Sequence, residues 1–352
     1  MGLGAAIAVN GQPDAELGGA TFVEVHERAG LPTTFRLRYE ADIAQSDLPQ
    51  LVDARTGPGS ILSVLVPVGG ANECLVKGPV HGQHIHLEHG GNGSYFEVRG
   101  ADRSSEMDRE AQSVIWDQVT DSDVVSTIVA GYSFTPDVDT TAASHAEDRH
   151  TLVQRESDLR FVQRLARRNG FLFWISADSS GVETAHFKRP PVGGSPAATL
   201  IINQDNPSLQ VFDIKWDVER PTSIDAAQVD LNSKGDIDGS ASQSPLKALA
   251  AQDLATITGD TRSLHLAAPA DDAGDLRARA EGALIEALWF VRASCEARLD
   301  AAGALVRAHT VAALQGAGSR HSGSYFVLGV RHTIDAMQHR MEIELARNAW
   351  ET

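Results

Sequence analysis

Runs of β-branched and aromatic residues occupy both ends of the chain, and a block with helical period separates them. That layout leaves few architectures open. Residues 21–26, 34–40, 61–66 and 95–99 read as strands. Turn formers such as Thr56-Gly-Pro-Gly and Gly90-Gly-Asn-Gly part them. Short strands at this spacing predict a barrel or sandwich rather than βαβ units. At 352 residues the chain has room for two or three domains and an ample core.

The pattern changes near Ser104. Thr120-Asp-Ser-Asp predicts a helix start, with Thr120 as cap and Asp123 three residues later. Val124, Val125, Ile128 and Val129 then share one face, and Gly131 is a stop. A second helix is capped by Ser157, with Asp158 at its positive end. Leu159, Val162, Leu165 and Ala166 form its apolar stripe, and Gly170 ends it. Residues 171–176 and 182–188 read as a hairpin across Asp178-Ser-Ser-Gly. Residues 104–199 are therefore expected to form an α+β unit, with Pro190-Pro-Val-Gly-Gly-Ser-Pro as its exit.

Strands resume afterwards. Residues 211–218 set Phe212, Ile214, Trp216 and Val218 on one face against Asp213, Lys215 and Asp217 on the other, a half-buried strand. The polar stretch 232–243 reads as a linker or mobile loop. A long helix over 272–292, capped by Asp271 or Asp272, keeps Leu276, Ala280, Leu284, Leu288 and Val291 in register. Strands are expected at 297–300, 305–312 and 325–332. A final strand alternates Met341, Ile343 and Leu345 with Glu342 and Glu344. The end of the chain thus matches its beginning in kind, although no short-period repeat is visible.

The formal charge is −17, from 47 acidic and 30 basic side chains. That balance excludes wrapping nucleic acid as a main task, which needs a positive surface. The two cysteines, Cys74 and Cys295, belong to no CxxC or Cys/His pattern, so no disulfide framework is expected and a reducing assembly compartment fits. The N-terminal MGLGAAIAVNG lacks the basic flank of a signal peptide. No run approaches the roughly 20 apolar residues that cross a bilayer, so membrane insertion is not expected. Ala6 breaks the myristoylation pattern that Gly2 begins.

The stretch Arg155-Glu-Ser-Asp-Leu-Arg-Phe-Val-Gln-Arg-Leu-Ala-Arg-Arg-Asn-Gly-Phe-Leu-Phe-Trp resembles a signature of phage late-control protein D and of the VgrG proteins of type VI secretion. In those families an acidic-capped helix leads through a glycine into an aromatic strand. The segment from Tyr325-Phe-Val-Leu-Gly-Val-Arg-His to Met341-Glu-Ile-Glu-Leu is similar to the closing hairpin of their hub portion. The signature covers about 20 residues, and the order of segments covers most of the chain. The resemblance implies a β-rich α+β fold: two tube-protein-like β-barrels with an inserted α+β domain. It places the first barrel at 1–103, completed by about 200–231, the insert at 104–199, and the second barrel at 232–352 with its packed helix. It implies a non-enzymatic homotrimer, the baseplate hub of a contractile phage tail or injection system. Three chains would offer six barrels to a six-fold tail tube and a three-fold face to a spike. Partners would be the tube protein, a spike protein, other baseplate proteins, and passing DNA or effector cargo. Such a particle would assemble in the host cytoplasm. VgrG chains continue into a β-helical spike; no repetitive tract of that kind follows here, so the spike is expected as a separate chain. The total charge suggests an acidic lumen.

No catalytic or cofactor-binding residue emerges. The one metal alternative is Gly78-Pro-Val-His-Gly-Gln-His-Ile-His, similar to the start of a cupin motif, where His84 and His86 share one side of a strand. The cupin glutamate is missing, since its spacings hold Gly90 and Gly91. An exposed histidine strand is the plainer expectation, and a metal-dependent cupin-like enzyme the alternative function. A tail fibre or adhesin module is a third, without the repetitive shaft it needs. His145, Glu147, Asp148 and His150 read as a solvated loop. Glu156 and Asp158 read as helix-dipole partners. Arg164, Arg167 and Arg168 read as a helix C-terminus rather than a nucleic-acid patch.

Overall fold

The computed structural model describes residues 4–41, 53–146, 151–229, 234–270 and 272–351. Six principal strands build the N-terminal part: β1 (Ala6–Val9), β2 (Phe22–Arg28), β3 (Leu31–Glu40), β4 (Ile61–Val68), β5 (Ala71–His86) and β6 (Tyr95–Ala101). Their alternation puts Val23, Val25, Phe35, Leu37, Phe96 and Val98 into one core, all nearly inaccessible to solvent.

The middle of the chain forms its own core. Its elements are α1 (Asp121–Gly131), β7 (Thr135–Val138), α2 (Asp158–Arg168), β8 (Leu172–Ala177) and β9 (Glu183–Lys188). The local signals act as expected. Thr120 and Asp123 make a reciprocal capping box on α1. The Ser157 hydroxyl caps α2, and Gly170 adopts a left-handed φ of +66° just beyond it. The three strands lie in the order β7-β9-β8. One face, with Phe173, Ile175, Ala185 and Phe187, packs on Phe161, Val162 and Leu165 of α2.

The C-terminal part contains β10 (Ala198–Ile201), β11 (Leu209–Trp216), β12 (Ser223–Val229), β13 (Asp236–Asp238), β14 (Ser263–Leu266), α3 (Ala273–Ala287), β15 (Val291–Arg298), β16 (Val311–Gln315), β17 (Gly323–Asp335) and β18 (His339–Arg347). Helix α3 buries Leu276, Ala280 and Leu284 and lies against β12. Gly282 of α3 touches Gly170 so closely that a Cβ on Gly282 would sit 2.7 Å from the Gly170 nitrogen. Arg168 of α2 also joins the middle unit to α3, lying 3.2 Å from Asp121 and 2.8 Å from Asp275.

Several expectations need correction. Residues 198–216 do not complete the N-terminal strands: β10 pairs with β16, and β11 with β15. Strand β12 joins neither set, pairing instead with β13 and β14. The stretch read as a linker contributes β13, because its apolar residues, Ile237 and Ala241, pack onto the core; residues 232 and 233 lie outside the described residues. Asp272 caps α3, and Asp271 also lies outside them. The helix ends at Ala287, and Val291 already starts β15; apolar side chains every three or four residues run on from helix into strand without a sequence break. The strand expected at 305–312 begins only at Val311, and of the strand expected at 297–300 only Ala297 and Arg298 are extended, as the end of β15, before a short helix, Leu299–Ala302.

One continuous sheet wall runs β11-β15-β18-β17-β2-β3-β6-β5, and every neighbouring pair in it is antiparallel. It splits into two quartets with one plan. In chain order each quartet is a first, second, third and fourth strand, and in space each is first-second-fourth-third: β2-β3-β6-β5 and β11-β15-β18-β17. Each third strand is long, and its start pairs with an extra strand, β4 or β16. Each then passes through a bulge, at Val80-His-Gly82 and at Val327-Leu-Gly329, and turns to its quartet partner. The registers agree as well. Counting from the bulge glycines, Glu97 opposes His84 as Glu342 opposes Arg331. Glu24 then takes the place that Asp213 takes in the other quartet.

Candidate interaction face

One side of the wall faces the core. The other carries alternating charges. Along one register run His84, Glu97, Arg38 and Phe22; along another, Arg331, Glu342, Glu296 and Val211. Glu97 is the most enclosed of these, with a side chain only 1% exposed. It receives hydrogen bonds from Arg36, Arg38 and Arg99. Burial alone would raise its pKa, but the hydrogen bonds from Arg99 and Arg38 and the charge of Arg36 hold it down at about 2. Cations and carboxylates are so interleaved that this face is mixed in sign, unlike the chain as a whole.

His84 and His86 do project from the same side of β5, and both are exposed. His84 Nδ1 lies 3.5 Å from Glu97, and His86 Nε2 lies 3.1 Å from Glu88. Both rings pack on Tyr95. No group of three or more potential ligands forms among the described residues. The pair is a histidine strand on the charged face.

Other polar groups fall differently from expectation. His145 is fully buried, not solvated, with Nε2 2.9 Å from Asp121; residues 147–150 lie outside the described residues. Arg168 is buried in its ion pairs, and Arg164 pairs with Glu156 at 2.6 Å, so no basic patch forms there. Asp158 accepts hydrogen bonds from Tyr132 and Gln154. Both cysteines are buried and free. Sequence reasoning missed a buried cluster beneath the wall. There Glu27 accepts from Arg307 Nε at 2.6 Å and from the Ala308 amide at 2.9 Å. His332 Nδ1 lies 3.0 Å from His339 Nε2 beside it. Glu27 and Arg307 are 280 positions apart in the chain, so no local motif announces the cluster.

The wall ends in two edges. Strand β11 pairs only with β15, and the stretch of β5 from Gly82 to His86 pairs only with β6, among the described residues. These are the first strand of one quartet and the third strand of the other. The same kinds of strand meet inside the chain, where β17, a third strand, pairs with β2, a first strand. No described helix is long and apolar enough to cross a membrane.

Comparison with known proteins agrees with this architecture. The chain aligns over 98% of its length with the 43 kDa tail protein of prophage MuSo2 from Shewanella oneidensis, covering 98% of that chain at 14% identity and a TM-score of 0.68. A tail protein from Neisseria meningitidis MC58 aligns over 99% of this chain and 98% of its own, at 14% identity and a TM-score of 0.66. The E. coli c3393 protein is described as a type VI secretion component similar in structure to the T4 tail proteins gp27 and gp5. It aligns over 97% of this chain and 76% of its own, at 14% identity and a TM-score of 0.60. At such identities the likeness is one of fold, a β-rich α+β fold shared with phage tail proteins. No curated protein matches the sequence. The family described as the Alg8 N-terminal domain matches residues 7–336, and the chain belongs to that family.

Proposed function

We propose that the chain is a structural hub of a contractile tail or injection-system baseplate, built as a ring of three copies. The observation that carries this reading is the duplicated quartet with complementary free edges. Eight antiparallel strands are an even number, so a copy added by rotation meets the previous one with its strands still alternating in direction. Three copies would present six similar quartets, a near-six-fold ring suited to a tail tube, while the molecule stays three-fold towards a spike. Copying the internal β17–β2 register to the junction sets His84 opposite Lys215 and His86 opposite Asp213 of the next copy. Exposed free strand edges are otherwise an aggregation hazard, and mutual pairing removes them.

In this ring the charged face would line the channel. Its mixed sign replaces the acidic lumen that total charge suggested, and offers neither strong attraction nor strong repulsion to passing DNA or effector cargo. The partners are the tube protein, the spike and other baseplate proteins, and the setting is the particle's distal end. The likeness of its central signature to late-control protein D and VgrG agrees with this role.

Solution mass with low-resolution imaging tests the reading. A mass three times that of the chain and a ring of six lobes are expected; a monomer at micromolar concentration, with no ring, would contradict it.

A further inference from the structure

The insert carries a second, chemically distinct feature. On the face of the β7-β9-β8 sheet that turns away from its core, Asp137 is the register partner of His186, which is also the partner of Trp174. Ser176 sits two residues along on the same face. Its Oγ lies 2.8 Å from His186 Nε2, and His186 Nδ1 lies 2.6 Å from Asp137 Oδ2. Asp137 is further held by Lys188 Nζ at 2.6 Å. The carboxylate can only accept, so Nδ1 carries the ring proton and Nε2 is left to accept the Ser176 hydroxyl. Burial keeps the ring pKa below its ordinary value although Asp137 opposes the shift, so the imidazole is neutral near pH 7.

Ser176 and His186 open onto a cleft of about 280 Å³ between the insert and the wall, lined also by Glu27, Trp174, Arg307, His309 and Thr310, while Asp137 stands behind the ring and outside the lining. Trp174 is sandwiched there between His186, 4.5 Å away, and His309, 4.1 Å away. His309 takes a left-handed φ of +65°, unusual for a residue with a side chain. A nucleophile and a base at the mouth of a cleft, with a carboxylate orienting the base, are three of the parts an acyl-transfer site uses.

We propose that this cleft is an acyl-transfer site for small esters, with Ser176 as nucleophile, His186 as its base and Asp137 as the residue that positions the ring. Ser176 Oγ bonds to the acyl carbon while its proton passes to His186 Nε2. The bond to the leaving alkoxide breaks, and the alkoxide takes that proton. Water then repeats the sequence, releasing the acid and restoring the serine. The proposal goes beyond the hub reading and does not rest on it.

The full chain is incubated with a fluorophosphonate probe and, separately, with p-nitrophenyl acetate. Labelling of Ser176, located by peptide mass, is expected, together with ester hydrolysis that Ser176→Ala abolishes. His186→Gln should slow labelling about 100-fold or more. Asp137→Asn should slow it as well and move the acid limb of the pH profile, which loss of a purely structural contact would not do. A folded wild-type chain that is labelled no faster than Ser176→Ala, or labelled at another serine, overturns the proposal.

Discussion

The two quartets of the wall share a strand plan and a register, yet they differ in what lies against their third strands. The far edge of β17 is covered by β2, and beneath it sits a polar cluster of Glu27, Arg307, His332 and His339. Among the described residues the stretch of β5 from Gly82 to His86 has no strand on its far edge, and Ile85 stands where His332 stands in the other quartet. Equivalent strands are thus finished differently, one by the chain itself and one by whatever joins β5. The wall charges differ too. Glu97 is enclosed by three arginines, whereas its equivalent, Glu342, is 41% exposed and pairs with Arg340 at 3.1 Å.

That last contrast gives the largest expected effect. Glu97→Ala leaves three partly exposed arginines facing one another without the buried carboxylate they share, and should cost about 3 kcal/mol of stability, the upper end for hydrogen bonds to a charged group. Glu342→Ala should cost no more than about 1 kcal/mol, the value of exposed pairs. Urea unfolding of the two variants checks the difference; equal losses would mean that the quartets carry their charges alike.

The histidine cluster makes the C-terminal quartet the acid-sensitive one. Burial, with help from neighbouring charges, lowers the pKa of His332, and burial lowers that of His339 to about 4. A histidine whose folded pKa lies below its unfolded value of about 6.5 binds protons better when unfolded. Its burial therefore costs nothing above pH 6.5, and stability falls as pH drops from there towards the folded pKa. His339 alone should account for about 2 to 3 kcal/mol of loss by pH 4. His339→Phe should flatten that part of the pH profile in thermal melts, while Ile85→Val should leave its shape unchanged.

A smaller effect separates the bulge glycines. A Cβ on Gly329 would lie 3.0 Å from the Glu27 carbonyl oxygen of β2, whereas one on Gly82 would meet nothing within 4 Å. Gly329→Ala should destabilise the isolated chain by about 1 kcal/mol. Gly82→Ala should leave the chain as stable as before and weaken the self-association of copies, which sedimentation can follow.

Much of the local structure was legible in the sequence, because its causes are local. Thr120 with Asp123, Ser157, and the Asp178 turn each satisfy backbone groups within a few residues, and the elements they bound lie where the residues said. The alternation of Phe212 and Ile214 likewise marked β11. Partner choice was not legible. Nothing near residue 200 says that β10 and β11 pair with strands far downstream, from Val291 onwards, rather than with the N-terminal strands. The polar segment holding β13 was hidden because only Ile237 and the small Ala241 anchor it. The shared Val-x-Gly bulges at Val80 and Val327 were visible letters without visible meaning until the registers aligned them. The cleft triad was scattered over Asp137, Ser176 and His186, which only strand pairing brings together.

Cysteines placed at the two free edges test the junction most directly. The double variant His86→Cys, Asp213→Cys sets a thiol on β5 and another on β11, at positions that the internal β17–β2 pairing makes opposite; native Cys74 and Cys295 are buried. Mild oxidation should convert this chain to a covalent species of three times its mass, reversed by reductant and absent from either single variant. A double variant that stays monomeric under oxidation, or that gives the same products as the single variants, would contradict edge-to-edge closure of the wall.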